Sequence, residues 1–515
     1  MMKRYASSLL FALVALMGAF WIVYGINEQP GYTDSFYHYN ASVRMAEGQG
    51  LVDDYLWVYI GAPDSLPAPS HLYWMPFTSL LASVGMSIFG VSYRGALVGF
   101  ALFLWGTALI GYWLGRTFGN NTRLAWLTGL ITLFGGFYMR FWGVTDTFTP
   151  YAWVGALALL FMGLGTQQQK MRWWVLAGFF SALGHLTRND GLLLLLVGLW
   201  LMLWQRVAWR TRLIWASVFF GAYLLGMGAW FARMWQETGS ILPIGGTQGI
   251  WFTTFDDLFS YPPDASPTIL FADGVGLFLQ IRFDALVSNF QNLLAVEGFI
   301  FMMPFMVWQL WRVRKEPFWA GVFWFAVGIH VAFTLVFPLP GTRGGLFHAG
   351  TALHPFWALL GLQGIEGVVD FMAKRRRHWN PRIAKTVFTF GAMLAVLALS
   401  LSTGLSRREV VRPIPPIYAT ISQMIAPDER VMINDVAQFY YYTGIGGVVL
   451  PNESIDVVPT IARQYGIRYL ILEYPNVPRP LNFAEPPAFL RRISLESTST
   501  HLYEILLDTV STDEE

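Results

Sequence analysis

Leu9-Leu-Phe-Ala-Leu-Val-Ala-Leu-Met-Gly-Ala-Phe-Trp-Ile-Val-Tyr-Gly-Ile26 carries no charge, and five residues later the chain reads Gly31-Tyr-Thr-Asp-Ser-Phe-Tyr-His-Tyr-Asn-Ala41. As a helix rising about 1.5 Å per residue, the first stretch is long enough to cross the hydrocarbon of a bilayer. It reads as a membrane span, which sets the carboxylate of Asp34 at a membrane surface. Working outward, 55% of the residues are hydrophobic and only 13% charged, with a mean hydropathy of +0.45. This composition excludes a soluble globular protein and predicts a polytopic membrane protein. The opening Met1-Met-Lys-Arg and its apolar run also have the form of a signal peptide. Without a small-residue cleavage site after Ile26, an uncleaved anchor is expected. The chain has no cysteine, which rules out disulfides, thiolate metal sites and cysteine nucleophiles.

Apolar runs lie near residues 9–26, 95–115, 124–141, 148–166, 173–187, 191–205, 213–234, 298–311, 317–337, 350–370 and 386–404, predicting about eleven spans. Pro76 to Gly90 is short for a span. Its Ser79, Ser83 and Ser87 recur at helical spacing, so it reads as an interfacial helix. Charge placement agrees, because basic loops stay in the cytoplasm. With residues 76–90 left outside, the cytoplasmic segments hold Lys3, Arg4, Arg116, Arg123, Lys170, Arg172, Arg206, Arg210, Arg212, Arg312, Arg314, Lys315, Lys374 to Arg377, Arg382 and Lys385. The first outer loop then carries Glu28, Asp34, Glu47, Asp53, Asp54 and Asp64 against Arg44 alone.

The expected organisation is a transmembrane domain over 1–405, with a first outer loop at 27–94 and another at 235–297, and an extracytoplasmic domain over 406–515. That tail has an ordinary soluble composition. Arg430-Val-Met-Ile-Asn, Val448-Val-Leu and Arg468-Tyr-Leu-Ile-Leu-Glu read as strands and Val457 to Gln464 as a helix, which predicts a small α/β domain behind the stiff linker Arg412-Pro-Ile-Pro-Pro. It shows no catalytic motif.

Polar residues beside spans are costly and point to function. On the outer face this topology collects Asp34, Asp146 in Trp142-Gly-Val-Thr-Asp-Thr, Arg188 and Asp190 in Leu186-Thr-Arg-Asn-Asp-Gly, and Arg343 and His348 in Gly341-Thr-Arg-Gly-Gly-Leu-Phe-His. Carboxylates converging with arginines suit a reaction between a polar nucleophile and a lipid-borne phosphate. An ionised Asp takes the acceptor proton, and Arg forms bidentate hydrogen bonds to phosphate. Each residue also has a plainer reading. Asp34 and Asp146 have the positions of helix caps, and Arg188 and Asp190 can pair with each other. His185, His330 and His354 read as structural, and no ligand spacing marks a metal site at His38, His71 and His348.

The segments Asp34-Ser-Phe-Tyr-His-Tyr-Asn-Ala-Ser-Val-Arg-Met-Ala-Glu-Gly-Gln-Gly, His71-Leu-Tyr-Trp-Met-Pro-Phe, Val144-Thr-Asp-Thr-Phe and Gly184-His-Leu-Thr-Arg-Asn-Asp-Gly, in this order, resemble the GT-C glycosyltransferases that use polyprenyl-phosphate sugars. The resemblance is to the protein O-mannosyltransferase and lipid A aminoarabinose transferase branch. It covers residues 1 to 210 best, with Trp74 and Met75 standing where the family often carries a basic residue. It implies a GT-C-like fold and an inverting sugar transfer from a polyprenyl-phosphate donor to an extracytoplasmic protein, lipid or glycan, with no part for nucleic acid. In this reading Asp34 is the general base and Asp146 orients base or acceptor. Arg343, Arg188 and Arg282 are the candidates for donor phosphate. Tyr37, His38, Tyr73 and His348 are candidates for substrate contact. The acidic pair would serve with or without Mg²⁺ or Mn²⁺. The loop at 235–297, with Asp256, Asp257, Asp264, Asp273, Arg282 and Asp284 among aromatics, would make a lid. A transporter or lipid flippase is the alternative, although such sites lie near the midplane between repeats. A non-enzymatic membrane scaffold is the other.

Overall fold

The computed structural model describes residues 2–61, 63–119, 121–242, 244–263, 266–272, 274–375 and 379–507. Asp264, Asp273, Arg376 and Arg377 lie outside the described residues. The chain forms two compact units, one of residues 1–28, 75–233 and 279–410, the other of 29–74, 234–278 and 411–515.

The first unit is helical because backbone N–H and C=O groups in a bilayer must pair within their own segment. Each expected apolar run contains a helix. Among the described residues seven helices are long and apolar enough to cross a membrane: Ala6–Ile26, Tyr93–Phe118, Phe148–Gln168, Trp209–Thr238, Pro317–Val336, Gly345–Ala373 and Pro381–Ser406. The run at 124–141 is broken. The helix Thr122–Phe134 stops where Gly135 and Gly136 take φ of 73° and 60°, a left-handed pair that only glycine adopts readily, and a tight helical turn over Gly136–Phe141 follows. The runs at 173–187, 191–205 and 298–311 form the shorter helices Met171–Thr187, Leu192–Leu203 and Met303–Val313. Pro76 to Gly90 is the helix Phe77–Phe89, with Ser79 and Ser83 buried and Leu80, Val84 and Ile88 exposed. Its apolar face is turned outward. Arg123 pairs with Glu366 and donates to Thr386 Oγ1 at 2.6 Å, so three of the basic-loop helices are tied at one end.

The second unit is an α/β sandwich. Its strands are β1 (Val52–Asp53), β2 (Tyr55–Leu56), β3 (Ala68–Pro69), β4 (Arg430–Ile433), β5 (Gly447–Val449), β6 (Ile467–Glu473), β7 (Leu490–Ile493) and β8 (Thr500–Ile505). β1 pairs antiparallel with β3, and the main sheet runs β2-β5-β4-β6-β8-β7. The first four are parallel, β8 adds antiparallel to β6, and β7 adds antiparallel to β8. Alternate residues feed opposite cores. Leu56, Met432, Val448, Leu470 and Leu472 face the layer holding the helix Val458–Tyr465, while Tyr55, Val431, Ile433 and Ile471 face the helices Thr33–Ala46, Pro416–Met424 and Val436–Thr443. The expected strands and helix of the tail are present. β2 was not foreseen: it comes from the first loop and joins the tail's sheet, with Tyr55 opposite Gly447 and Leu56 opposite Val448. Residues 234–278 belong to this unit as well, where Phe259 O accepts from Asn452 N at 2.9 Å.

One folded sheet unit lies on one side of a membrane, so the chain must cross an even number of times between residues 74 and 234, and again between 278 and 411. The long apolar helices number three in each interval. Even parity then requires, in each interval, either that a shorter helix cross as well or that one of the long ones not cross. The expected set satisfies this parity, with six helices in the first interval and four in the second. We expect cysteines placed at the exposed Ser65 and Ser494 to react alike with an impermeant maleimide on intact cells, and one at the exposed Gln168 to be protected. Labelling of only one of the first two would contradict the shared sheet.

Candidate functional site

In the helical unit, Asp146 lies in the short link between the turn Gly136–Phe141 and the helix Phe148–Gln168, and is 1% exposed. It is not a cap of that helix, whose capping position, Thr147, makes no side-chain cap. Asp146 Oδ1 accepts from the adjacent Thr147 N, and Oδ2 lies 3.1 Å from His348 Nε2. His348 Nδ1 donates to the carbonyl of Gly344 at 2.8 Å, and its ring stacks on Phe148 at 3.9 Å between centroids. With Nδ1 committed as a donor, the Asp146–His348 contact is attractive only with a proton or a metal ion between the two atoms. A histidine whose second nitrogen donates to a backbone carbonyl is the usual arrangement of a metal ligand. This carboxylate oxygen and imidazole nitrogen therefore fit a divalent cation, and the nitrogen favours a zinc- or manganese-type ion over Mg²⁺.

Arg188 follows the helix Met171–Thr187 and joins three segments. Its Nε donates to Asp190 Oδ1 at 2.9 Å, Nη1 to Thr147 Oγ1 at 3.1 Å, and Nη2 to Gly345 O at 3.2 Å. Pairing with Asp190 is thus one part of its role. The other is to hold the Asp146 link against the glycine-rich segment that carries Arg343 and His348. Two of its five N–H groups remain for a further acceptor. Among the described residues the buried Tyr151 hydroxyl and Asp190 Oδ2 have no hydrogen-bond partner, and the Tyr151 ring lies 5.8 Å from the guanidinium. Arg343 is exposed at the end of the helix Pro338–Thr342. Arg282 is half-buried on the helix Gly274–Asn292, an element not foreseen within the outer loop.

Asp34, Tyr37, His38 and Tyr73 belong to the sheet unit. Asp34 stands in the first turn of the helix Thr33–Ala46, whose capping position is Tyr32, so it too is no cap; a carboxylate there is favoured by the helix dipole. Tyr37 and His38 are buried. The Tyr37 hydroxyl accepts from His71 N at 2.7 Å, and its ring lies 4.4 Å from that of Trp74. Trp74 stacks on Trp57 at 3.8 Å, and Tyr73 meets Trp57 edge-on at 4.9 Å. The aromatics after Asp34 and those of the His71 segment thus form one cluster. Asp257 of the loop is structural, closing a capping box with Thr254.

Sequence reasoning missed Glu297. It is 0% exposed at the end of a widened helical turn, Leu293–Glu297, and is followed by Phe299 and Ile300 at φ of 49° and 70°. A β-branched residue in that region is strained. The carboxylate accepts from Trp357 Nε1 at 2.7 Å and Asn292 Nδ2 at 3.1 Å, and His330 Nε2 lies 3.4 Å away. Gly350 backs directly onto it: a Cβ there would come within 3.1 Å of Glu297 Oε1 and of the Tyr138 hydroxyl. That hydroxyl donates to Phe347 O at 3.1 Å, beside His348. A lone glutamate between Leu293 and Ile300 was the available signal. Glu297→Ala would leave the groups around it facing an apolar gap. We expect a loss of about 3–5 kcal/mol, read as a lower unfolding midpoint in detergent, with Glu297→Gln losing less. An unchanged midpoint in Glu297→Ala would contradict this network.

By sequence, no curated protein matches the chain. Residues 70–230, which include the Asp146 and Arg188 segments, match the family described as dolichyl-phosphate-mannose-protein mannosyltransferase. Among solved structures, ArnT from Cupriavidus metallidurans in the apo state superposes with a TM-score of 0.58 at 16% identity, covering 98% of this chain and 99% of that one. Its undecaprenyl phosphate-bound form gives 0.57 at 15%, covering 96% and 97%. The archaeal oligosaccharyltransferase AglB from Archaeoglobus fulgidus, in complex with an inhibitory peptide and a dolichol-phosphate, gives 0.57 at 14%, covering 92% of this chain and 70% of that one.

Proposed function

We propose that this chain, an integral membrane protein of the GT-C glycosyltransferase fold, transfers a sugar from a polyprenyl-phosphate donor to an acceptor at the extracytoplasmic face. The observation that carries the reading is Arg188. One guanidinium fixes the Asp146 link to the segment bearing Arg343 and His348, so a carboxylate, an imidazole and two arginines are gathered within one unit. Tyr151 and Asp190 Oδ2 add polar atoms for a bound group beside it. Such a set suits a phosphate-bearing substrate.

In the proposed step an acceptor hydroxyl attacks the anomeric carbon as the bond from that carbon to the phosphate oxygen breaks, with inversion. The hydroxyl proton goes to the Asp34 carboxylate, and the leaving group is the polyprenyl monophosphate, whose growing charge Arg343 and Arg188 meet. Asp146 holds His348 in place. A divalent cation held by Asp146 and His348 would add positive charge for the phosphate. The undecaprenyl phosphate in ArnT and the dolichol-phosphate in AglB support a lipid-phosphate donor for this chain.

Asp34→Asn is expected to lower transfer by roughly 10²- to 10⁴-fold while donor binding persists. Near-wild-type turnover in detergent would remove Asp34 from the mechanism. Arg343→Lys is expected to weaken donor affinity and Arg343→Ala to weaken it more, because lysine keeps the charge without the planar fork. Titration of both variants with donor checks this, and unchanged affinity in Arg343→Ala would assign the phosphate to Arg188.

A further inference from the structure

The tail has no catalytic motif, yet Asp34's helix is built against it. Thr33 Oγ1 donates to Asp435 Oδ2 at 2.6 Å, and Asp435 Oδ1 accepts from Gln438 N at 3.0 Å, capping the helix Val436–Thr443. Seven residues further along, Asn40 Nδ2 donates to Ala437 O at 2.9 Å and to the Tyr55 hydroxyl at 3.2 Å. Seven residues are close to two helical turns, so Thr33 and Asn40 lie on one face of their helix and both meet the start of the other. Phe36, on the same face, packs against Tyr441 and Tyr442. At the far end Arg44 pairs with Asp54, which accepts from the Tyr440 hydroxyl at 2.8 Å.

The capping position of the Thr33–Ala46 helix, Tyr32, makes no side-chain cap. Beyond its own turn, the start of this helix is held by a side-chain contact from the tail. Here the securing bond comes from a residue about four hundred positions away, attached to the residue directly before Asp34. Asp435 is buried. Burial raises its pKa, opposed by the hydrogen bonds from Thr33 and the backbone N–H groups of Gln438 and Ala437. A carboxyl group taken out of water at this point has been given a set of donors, of which Thr33 is the one that reaches outside its own helix.

We propose that Asp435 is a positioning residue for Asp34: through the Thr33 hydroxyl it fixes where the helix presenting the general base begins and how that helix is rotated. The tail domain is then part of the apparatus of transfer. This rests on the reading of Asp34 as general base.

The test compares Thr33→Val, Thr33→Ser, Asp435→Asn and the double variant Thr33→Val/Asp435→Asn in the full-length protein. Two readouts are used: steady-state transfer, and amide hydrogen exchange over residues 33–40. Thr33→Val and Asp435→Asn should each lower kcat about 10- to 100-fold with acceptor KM little changed, since a small misplacement of a reacting group has that effect. The double variant should be no worse than the poorer single, and Thr33→Ser, which keeps the hydroxyl, should recover most of kcat. Exchange at the helix start should quicken in Thr33→Val and Asp435→Asn but not in Thr33→Ser. Wild-type kcat together with wild-type exchange in Thr33→Val overturns the proposal, as does equal loss in Thr33→Ser and Thr33→Val. If Asp34→Asn proves active while exchange at residues 33–40 still follows the Thr33 hydroxyl, the base assignment has failed and the positioning contact has not.

Discussion

Backbone hydrogen bonding between Tyr55-Leu56 and Gly447-Val448 is the constraint on which much of this architecture depends. It joins a strand from near the first span to a domain that begins after the last. A parallel pairing of this kind admits no membrane between its partners. Each intervening stretch must therefore obey an even number of crossings, a rule in which short apolar helices such as Thr122–Phe134 and Leu192–Leu203 count with the long ones wherever they cross. The same pairing brings the loop bearing Asp34 into the sheet unit. The helix Thr33–Ala46 then covers one face of the sheet, with Phe36 and Tyr37 in the same core as Val431 and Ile433.

Within the helical unit, the polar groups follow a second constraint. A charge placed among apolar helices must be paired and hydrogen-bonded, and the partners that satisfy it also fix its position. Arg188 meets this demand by reaching three segments, and Glu297 by taking donors from Trp357 and Asn292 with His330 beside it. Gly350 then allows the segment behind His348 to sit against Glu297 and Tyr138. Fixed dipoles and charges of this kind are what a transfer reaction with a phosphate leaving group needs, because they require little rearrangement as charge develops.

The apolar runs were legible because a span is long and needs no partner to declare itself. The strands beginning at Arg430, Val448 and Arg468 were legible through their β-branched and apolar runs bounded by turn residues. Other elements were not. A two-residue strand such as β2 contains no period to detect and exists only through its neighbour. The break at Gly135-Gly136 lies inside a run whose hydrophobicity outweighs two glycines. The helix Gly274–Asn292 is hidden in the sequence because Gln280, Arg282, Asp284 and Asn289 interrupt it, although Val275, Leu279, Phe283, Leu286 and Phe290 form an exposed apolar stripe along it. Of the site, Asp146, Arg188 and His348 were each visible as polar residues in costly places. Their contacts were not, since the Asp146–His348 pair spans 202 positions of sequence. Tyr37 and His38 look like ligand aromatics in sequence and lie buried in the fold.

The central claim is that a sugar leaves a lipid phosphate, which changes a phosphodiester into a phosphomonoester. Phosphorus NMR of the purified protein in detergent, supplied with a panel of undecaprenyl-phosphate hexoses and pentoses and an envelope extract as acceptor source, reads that change directly. The account predicts a growing monoester signal matched by loss of the diester of at least one donor. A diester signal unchanged across the panel, with the intact lipid instead redistributed between leaflets when the protein is placed in vesicles, would contradict it and favour a transporter.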